Sequence, residues 1–238
     1  MRARPTTGFR PRAASDFLAI ALVALLLCFM VGCRANRPIP GVAKIRAQCS
    51  AQSDNDYYFP VRTFSTAEGS GSELNYEYGG YLARVGEPSL SCGPGPDEAY
   101  RLVWTHAFRP DPVVIRISRT AEKYSVIAYR LEAGAYANTA IKIVTHTEKL
   151  LGSEQWHTLT AAVEQANFFF MPVWHIRTAS DPYVLDGDNW VLEGRVGSSY
   201  HAILRGTLEE RRVAFNHLCR LFFQFVGFDV PGELQPRP

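Results

Sequence analysis

The chain has 238 residues, of which 47% are hydrophobic and 20% charged. This is ordinary for a globular protein, and one domain of about 200 residues buries a core without a structural metal or many disulfides. Of the 25 basic and 23 acidic side chains, four arginines and one aspartate precede Cys33, which leaves 21 basic and 22 acidic side chains. A near-neutral chain lacks the positive surface that nucleic acid requires, so we expect no nucleic-acid partner.

The first 33 residues have the pattern of an export signal. Four arginines precede an uncharged apolar run at residues 17–30. This run is shorter than the roughly 20 residues that span a bilayer. The run leads to Gly32 and Cys33, and this ending resembles a lipobox, whose cysteine is acylated and becomes the first residue after cleavage. We therefore predict a lipoprotein signal peptide over residues 1–33, with lipidation at Cys33.

This segment has two alternative interpretations: a signal peptide cleaved near Ala35 without lipidation, or a short anchor that is not cleaved. All three place the rest of the chain outside the cytoplasm. Arg34 rather than aspartate follows the cysteine, and by resemblance to Gram-negative sorting signals this favours the outer membrane. We expect a cell-envelope protein that faces the periplasm and is held to the membrane by its lipid, since each buried methylene contributes about 0.8 kcal/mol.

Beyond the signal, the proline-rich residues 34–42 predict a tether, and residues 43–230 predict a single α+β domain. Cys49 and Cys92 flank a loop-rich segment in an oxidising compartment, which favours a disulfide between them; two free thiols are the alternative. Closing that loop would restrict the unfolded chain by roughly 4 kcal/mol. Cys219 lies in an apolar segment and is interpreted as a packed thiol.

Residues 43–96 have no clear periodicity, and we expect an irregular segment with one or two short strands, at residues 57–63 and 76–84. The tyrosines of this segment either form a binding surface or pack beneath a long loop.

Four strands are predicted next, at residues 99–108, 113–119, 124–131 and 141–147. The two prolines in residues 109–112 are expected to separate the first two strands, because proline donates no ladder hydrogen bond. Every connection is too short for a helical crossover, so these strands predict an antiparallel meander.

A helix is predicted to begin at a Ser153 cap and to end before Pro172. Its expected core face comprises Trp156, Leu159, Val163, Ala166 and Phe170.

Strands at residues 189–196 and 200–205 flank Gly197-Ser198, which suits a type II′ hairpin turn. A capping box of Thr207 and Glu210 begins an apolar helix that ends at Gly227. The order of elements predicts an α+β fold, with an antiparallel sheet of about six strands packed by two helices and an irregular N-terminal segment.

Local catalytic and metal-binding motifs are missing from the sequence. It contains no GxSxG, Walker, GxGxxG, HExxH or paired CxxC motif, and no two of its six histidines are four residues apart. We therefore predict no metal site and no cofactor; a site assembled from distant segments is the alternative.

The C-terminal half has the pattern D-G-x-x-W-x-L-E-G, followed by Y-H-x-x-x-R and a helix. The pattern comprises Asp186, Gly187, Trp190, Leu192, Glu193, Gly194, Tyr200, His201 and Arg205. It resembles a group of uncharacterised bacterial envelope lipoproteins over residues 185–227. The chain departs from the group at the hairpin turn, where an Asp-Gly type is usual, and at Gly206, where a Ser-Pro type step is usual. The resemblance implies architecture, and it implies no activity.

Hairpin register decides which of these side chains can meet. A two-residue turn at Gly197-Ser198 places Gly194 opposite His201, so Glu193 and Tyr200 share one face while His201 and Arg205 share the other. A three-residue turn would shift the register by one residue and bring Glu193 and His201 together. We expect the two-residue turn.

The candidate binding residues are Asp186, Glu193, Tyr200, His201 and Arg205. In one interpretation, His201 and Arg205 meet an anionic group of a ligand, with Asp186 or Asp188 nearby. In the other, which we favour, the polar residues are satisfied internally: Arg205 pairs with a loop aspartate, His201 is hydrogen-bonded to the backbone, and Trp190 lies in the core.

These observations lead to a hypothesis about function. We expect an envelope lipoprotein that binds another protein or an envelope component without catalysis. The alternative is a hydrolase that uses His201 with Glu193 or Asp186. A third possibility is a structural accessory with a broad apolar patch.

Overall fold

The computed structural model describes residues 58–60, 63–64, 71–92, 95–106, 109–121, 123–132, 141–174, 187–206 and 213–231. All of them belong to one compact unit, Pro40–Pro238. The other unit, Met1–Ile39, lies outside the described residues, and so do the predicted signal peptide with Cys33, the tether, Cys49 and Asp186.

Six strands form one antiparallel sheet, which confirms the predicted α+β fold and the strand number. The strands are β1 (Glu98–His106), β2 (Arg109–Thr120), β3 (Lys123–Glu132), β4 (Lys142–Leu150), β5 (Asp188–Val196) and β6 (Ser199–Arg205). Their order across the sheet is β4-β3-β2-β1-β5-β6. The first four strands form the predicted meander, and the hairpin of β5 and β6 adds to it beside β1.

The prolines before Val113 do not interrupt the sheet as predicted, because β2 already begins at Arg109. The ladder between β1 and β2 is irregular there, since its register shifts between Trp104 and His106. Pairing of β2 with β3 starts only at Val113. Proline is therefore tolerated in this stretch because β3 does not pair with it.

Three helices lie within the described residues, one more than predicted. The additional helix, α1 (Gly71–Arg84), includes residues 76–84, so the strand expected there is wrong. Tyr78, Leu82 and Val85 are buried at helical spacing. The tyrosines and adjacent glycines of this segment have low helix propensity, but packing of one face against the sheet stabilises the helix.

The second helix, α2 (Ser153–Gln165), begins one residue earlier than the predicted cap implies. Gly152 is the N-cap, and its N–H donates to Gln155 Oε1 at 3.0 Å. The helix also ends earlier than predicted, because Asn167 adopts a left-handed conformation with φ of 52°. A short 3-10 turn, Phe168–Phe170, follows, and it leaves Phe170 57% exposed rather than in the core face.

The last helix, α3 (Val213–Val226), ends as predicted at Gly227, which has φ of +78°. The N–H groups of Gly227 and Phe228 both donate to Phe223 O, which closes the helix end. The proposed capping box at Thr207 and Glu210 lies outside the described residues.

The sheet is covered on both faces, which gives two hydrophobic cores. Strand residues such as Leu102, Ile115 and Trp190 pack with α2 and α3 on one face, here called the α2/α3 face. Alternate strand residues, such as Val103 and Val191, pack with α1 on the other face, here called the α1 face. Because side chains alternate along a strand, each side chain of β1, β2, β5 or β6 lies either on the α2/α3 face or on the α1 face.

Candidate functional site

The β5–β6 hairpin has the predicted two-residue turn. Val196 pairs with Ser199, Gly194 with His201, and Glu193 with Ala202. Gly197 has φ of +57°, as the first residue of a type II′ turn requires. Because side chains alternate along a strand, Glu193 and Tyr200 lie on the α1 face, whereas His201 lies on the α2/α3 face. The structure therefore does not bring Glu193 and His201 together.

Glu193 belongs to an ionic cluster buried beneath α1 and the segment that follows it. Its Oε1 accepts a hydrogen bond from Arg101 Nε at 2.7 Å and lies 2.7 Å from Arg101 Nη2, and its Oε2 accepts a hydrogen bond from the Tyr200 hydroxyl at 3.0 Å. Glu87 bridges Arg101 at 3.2 Å and Arg116 at 2.7 Å. We call these five residues the buried ionic cluster.

The buried ionic cluster contains two positive and two negative side chains. Burial and the neighbouring charges together shift the pKa values of its members. Burial raises the pKa of Glu193, and the facing Arg101 guanidinium opposes that rise. Burial also disfavours the charge on Arg101, but the two glutamates outweigh it and raise the pKa of that guanidinium. Burial, followed by the Glu193 carboxylate, raises the pKa of Tyr200 well above its ordinary value. Each charged side chain of the cluster is thus stabilised by an opposite charge inside the fold.

His201 is held between two phenylalanine rings and a backbone carbonyl. Its Nε2 lies 2.9 Å from Met171 O, and its ring centroid is 5.2 Å from that of Phe168 and 6.4 Å from that of Phe169. Since a carbonyl can only accept, the His201 Nε2 carries the proton of this bond. Burial is the main cause that lowers the pKa of His201, and Arg205 lowers it further.

Arg205 ties β6 to the segment that follows the 3-10 turn. Its guanidinium donates to the carbonyl oxygens of Pro172, Val173 and Leu204 at 2.6, 2.9 and 2.6 Å. The Leu204 N–H also donates to Val173 O at 2.8 Å. Arg205 is 3% exposed, so its charge is used within the fold.

A carboxylate–imidazole pair at the ends of β1 and β5 was not predicted. His106 lies opposite Asp188 in the ladder, and His106 Nε2 is 3.5 Å from Asp188 Oδ1. The Asp188 side chain is fully buried, whereas that of His106 is 21% exposed. The ligand-binding interpretation placed Asp186 or Asp188 near His201 and Arg205, but the pairing of β5 with β1 brings Asp188 to a different histidine. Only the strand order could have indicated this pair.

Most of the described tyrosines before residue 82 are packed, and one is exposed. Tyr78 is fully buried in the core of the α1 face, where Tyr58 and Tyr81 pack partly buried. Tyr76 is 52% exposed. Packing therefore accounts for most of the described tyrosines.

No family model and no curated protein matches the chain. The resemblance to envelope lipoproteins thus stays a prediction. Within the described ranges, no helix is both long and apolar enough to cross a membrane. In the same part of the chain, no three His, Cys, Asp or Glu side chains are grouped closely enough to hold a metal ion.

Proposed function

We propose that the protein is an exported bacterial envelope lipoprotein, anchored by acyl chains on Cys33, whose domain binds another protein or an envelope component without catalysis. The arginine-rich start, the short apolar run and the Gly32-Cys33 ending support export and lipidation. Arg34 supports the outer membrane as the destination.

The observation that supports a non-catalytic role is the internal use of the candidate polar residues. Glu193 is bonded to Arg101 and Tyr200, His201 to a backbone carbonyl, and Arg205 to three carbonyls. A general acid or base must reach the proton it transfers, within about 3 Å. Side chains that hold a scaffold together have a structural role, and such a rigid scaffold suits recognition.

The hydrolase alternative loses support in its simplest form, because Glu193 and His201 lie on opposite faces of the sheet. Its other form, with His201 and Asp186, depends on a residue outside the described part of the chain. We therefore retain the non-catalytic role as the proposal.

Metabolic labelling with palmitate tests the anchor. The wild-type chain should incorporate label and fractionate with the outer membrane, whereas Cys33→Ser should remain unlabelled. A wild-type chain that stays unlabelled, with its first 33 residues intact in the cytosol, would overturn the proposal.

Photo-crosslinking in intact cells tests the binding role. A photoreactive amino acid replaces exposed Tyr76 on the α1 side or exposed Phe170 on the α2/α3 side, one position at a time. We expect a discrete adduct from one position and none from the other, because a specific partner covers one surface. The lack of any adduct at both positions, in cells where the chain is folded and exported, would contradict the binding role.

A further inference from the structure

The outer edge of β4 pairs with no other strand among the residues that the structure describes. Among the described ranges, β4 is hydrogen-bonded to β3 alone and ends the sheet. It carries three exposed large apolar residues: Ile143 is 42% exposed, Val144 55% and Leu150 74%. A strand edge with free N–H and C=O groups and exposed apolar side chains is a template for pairing with another strand.

We propose that β4 pairs antiparallel with β4 of a second copy of this chain, about a two-fold axis at Thr147. An axis normal to a sheet places one residue opposite its own copy and pairs the flanking positions symmetrically. The two six-stranded sheets would then continue as one. This inference does not depend on the lipid anchor or on an envelope partner.

The residues of β4 are self-complementary about Thr147. His146 of one copy lies opposite Glu148 of the second copy, and the symmetric pair repeats this contact. Leu150 of each copy lies beside the irregular Ile143–Val144 segment of the other copy, so exposed apolar positions cover each other. Hydrogen-bonded polar pairs, such as an imidazole N–H facing a carboxylate, and apolar cross-strand pairs stabilise antiparallel ladders.

Three nearby positions of the axis give poorer pairs, and an axis at Thr145 would bring the Val144 irregularity into the shared ladder beside the axis. An axis at Glu148 places two carboxylates opposite each other, and an axis at Lys149 places two ammonium groups opposite each other. An axis at His146 places Val144 opposite Glu148. Because like charges directly opposite destabilise a ladder, the sequence of β4 favours Thr147.

The remaining features of β4 limit which strands can pair with it. A register irregularity opposite Arg130 and Leu131 leaves Val144 as an extra residue, so the regular part of the ladder begins at Thr145. Lysines and bulges disfavour unselective edge pairing. A partner strand must therefore match the order of polar and apolar side chains along β4, and a second copy does so.

Disulfide crosslinking in the oxidising envelope tests the pairing. In the full chain, Thr147→Cys should give a covalent dimer as the main species on non-reducing gels, because residues at the axis have Cα atoms within disulfide range. Thr158→Cys, an exposed threonine on α2, is the matched control and should remain monomeric. A monomeric Thr147→Cys chain would overturn the proposal, as would an adduct whose mass shows a different protein.

Charge variants in the Thr147→Cys background test the register. Glu148→Lys removes the carboxylate that faces His146 and should lower the crosslinked fraction on the order of fivefold. His146→Glu combined with Glu148→His restores complementary pairs and should recover the dimer. Equal crosslinking in all these variants would contradict the proposed axis. Since adducts of twice the monomer mass report only self-association, these results are distinct from those at Tyr76 and Phe170.

Discussion

Arg101 and Glu193 lie directly opposite each other on β1 and β5, and the Arg101 Nε–H donates to Glu193 Oε1 at 2.7 Å with both side chains fully buried. Tyr200 on β6 donates to the same carboxylate, and Glu87, which follows α1, binds the same guanidinium. The pair therefore connects the hairpin, the meander and the segment beyond α1. Its geometry leads to the first prediction.

Glu193→Leu should lower the free energy of unfolding by about 3 to 5 kcal/mol, because it leaves the Arg101 charge buried without its main partner. Combining it with Arg101→Met should recover part of this loss, since neither ion then remains. Urea unfolding measures both variants. Glu132→Gln is the control, because Glu132 is an exposed partner of Lys142 at 3.9 Å and its loss should cost less than about 1 kcal/mol. A Glu193→Leu chain as stable as that control would contradict a structural role for the cluster.

The protein should lose stability as the pH falls through the titration of His201. Burial holds the pKa of His201 below 6.5, so the unfolded chain takes up a proton before the folded one does. The stabilising contribution is therefore complete above pH 6.5 and is lost as the pH falls through the lowered pKa. One proton corresponds to a slope of at most about 1.4 kcal/mol per pH unit.

His201→Gln should flatten that slope between about pH 7 and pH 5, measured by urea unfolding at each pH. His157→Gln, which replaces an exposed histidine on α2, serves as the comparison and should keep the wild-type slope. If both variants lost the slope equally, or neither did, His201 would not be its source.

Gly194→Ala should destabilise the protein by about 1 to 3 kcal/mol, because the new methyl group would overpack the core. A Cβ at this position would lie 2.7 Å from Phe168 Cε1 and 2.9 Å from Tyr100 Cδ1. Gly80→Ala in α1 is the matched change, since a Cβ there meets nothing within 4 Å. It should stabilise the helix by about 0.5 to 1 kcal/mol. Thermal unfolding of the two variants should therefore shift the Tm in opposite directions, and equal shifts would be inconsistent with this packing.

The mature chain should contain a disulfide between Cys49 and Cys92. Alkylation after unfolding without reductant should modify Cys219, which is a free thiol, and leave the other two unmodified. Cys49→Ser should lower the free energy of unfolding by roughly 4 kcal/mol. Peptide mapping that finds Cys49 and Cys92 both alkylated in the wild-type chain would show that no such bond forms.

Local patterns predicted the elements that have strong periodicity. The alternation along β5 and β6, with the Gly197 turn, correctly predicted the hairpin register and hence the separation of Glu193 from His201. Helix α1 was missed because its tyrosines and glycines favour strand or turn locally, and only its packing against the sheet selects the helix. The early end of α2 was missed because Asn167 leaves the helix without a proline or glycine signal.

By itself, the sequence determined the α+β class, the six strands and the faces of the last hairpin, because strand alternation and turn chemistry act over a few residues. The partners of the charged residues were decided only by the tertiary structure. Arg101 and Glu193 are 92 positions apart, and His106 meets Asp188 only because β5 pairs with β1. A buried charge is stable only beside its counter-charge, and strand order determines which counter-charge is adjacent.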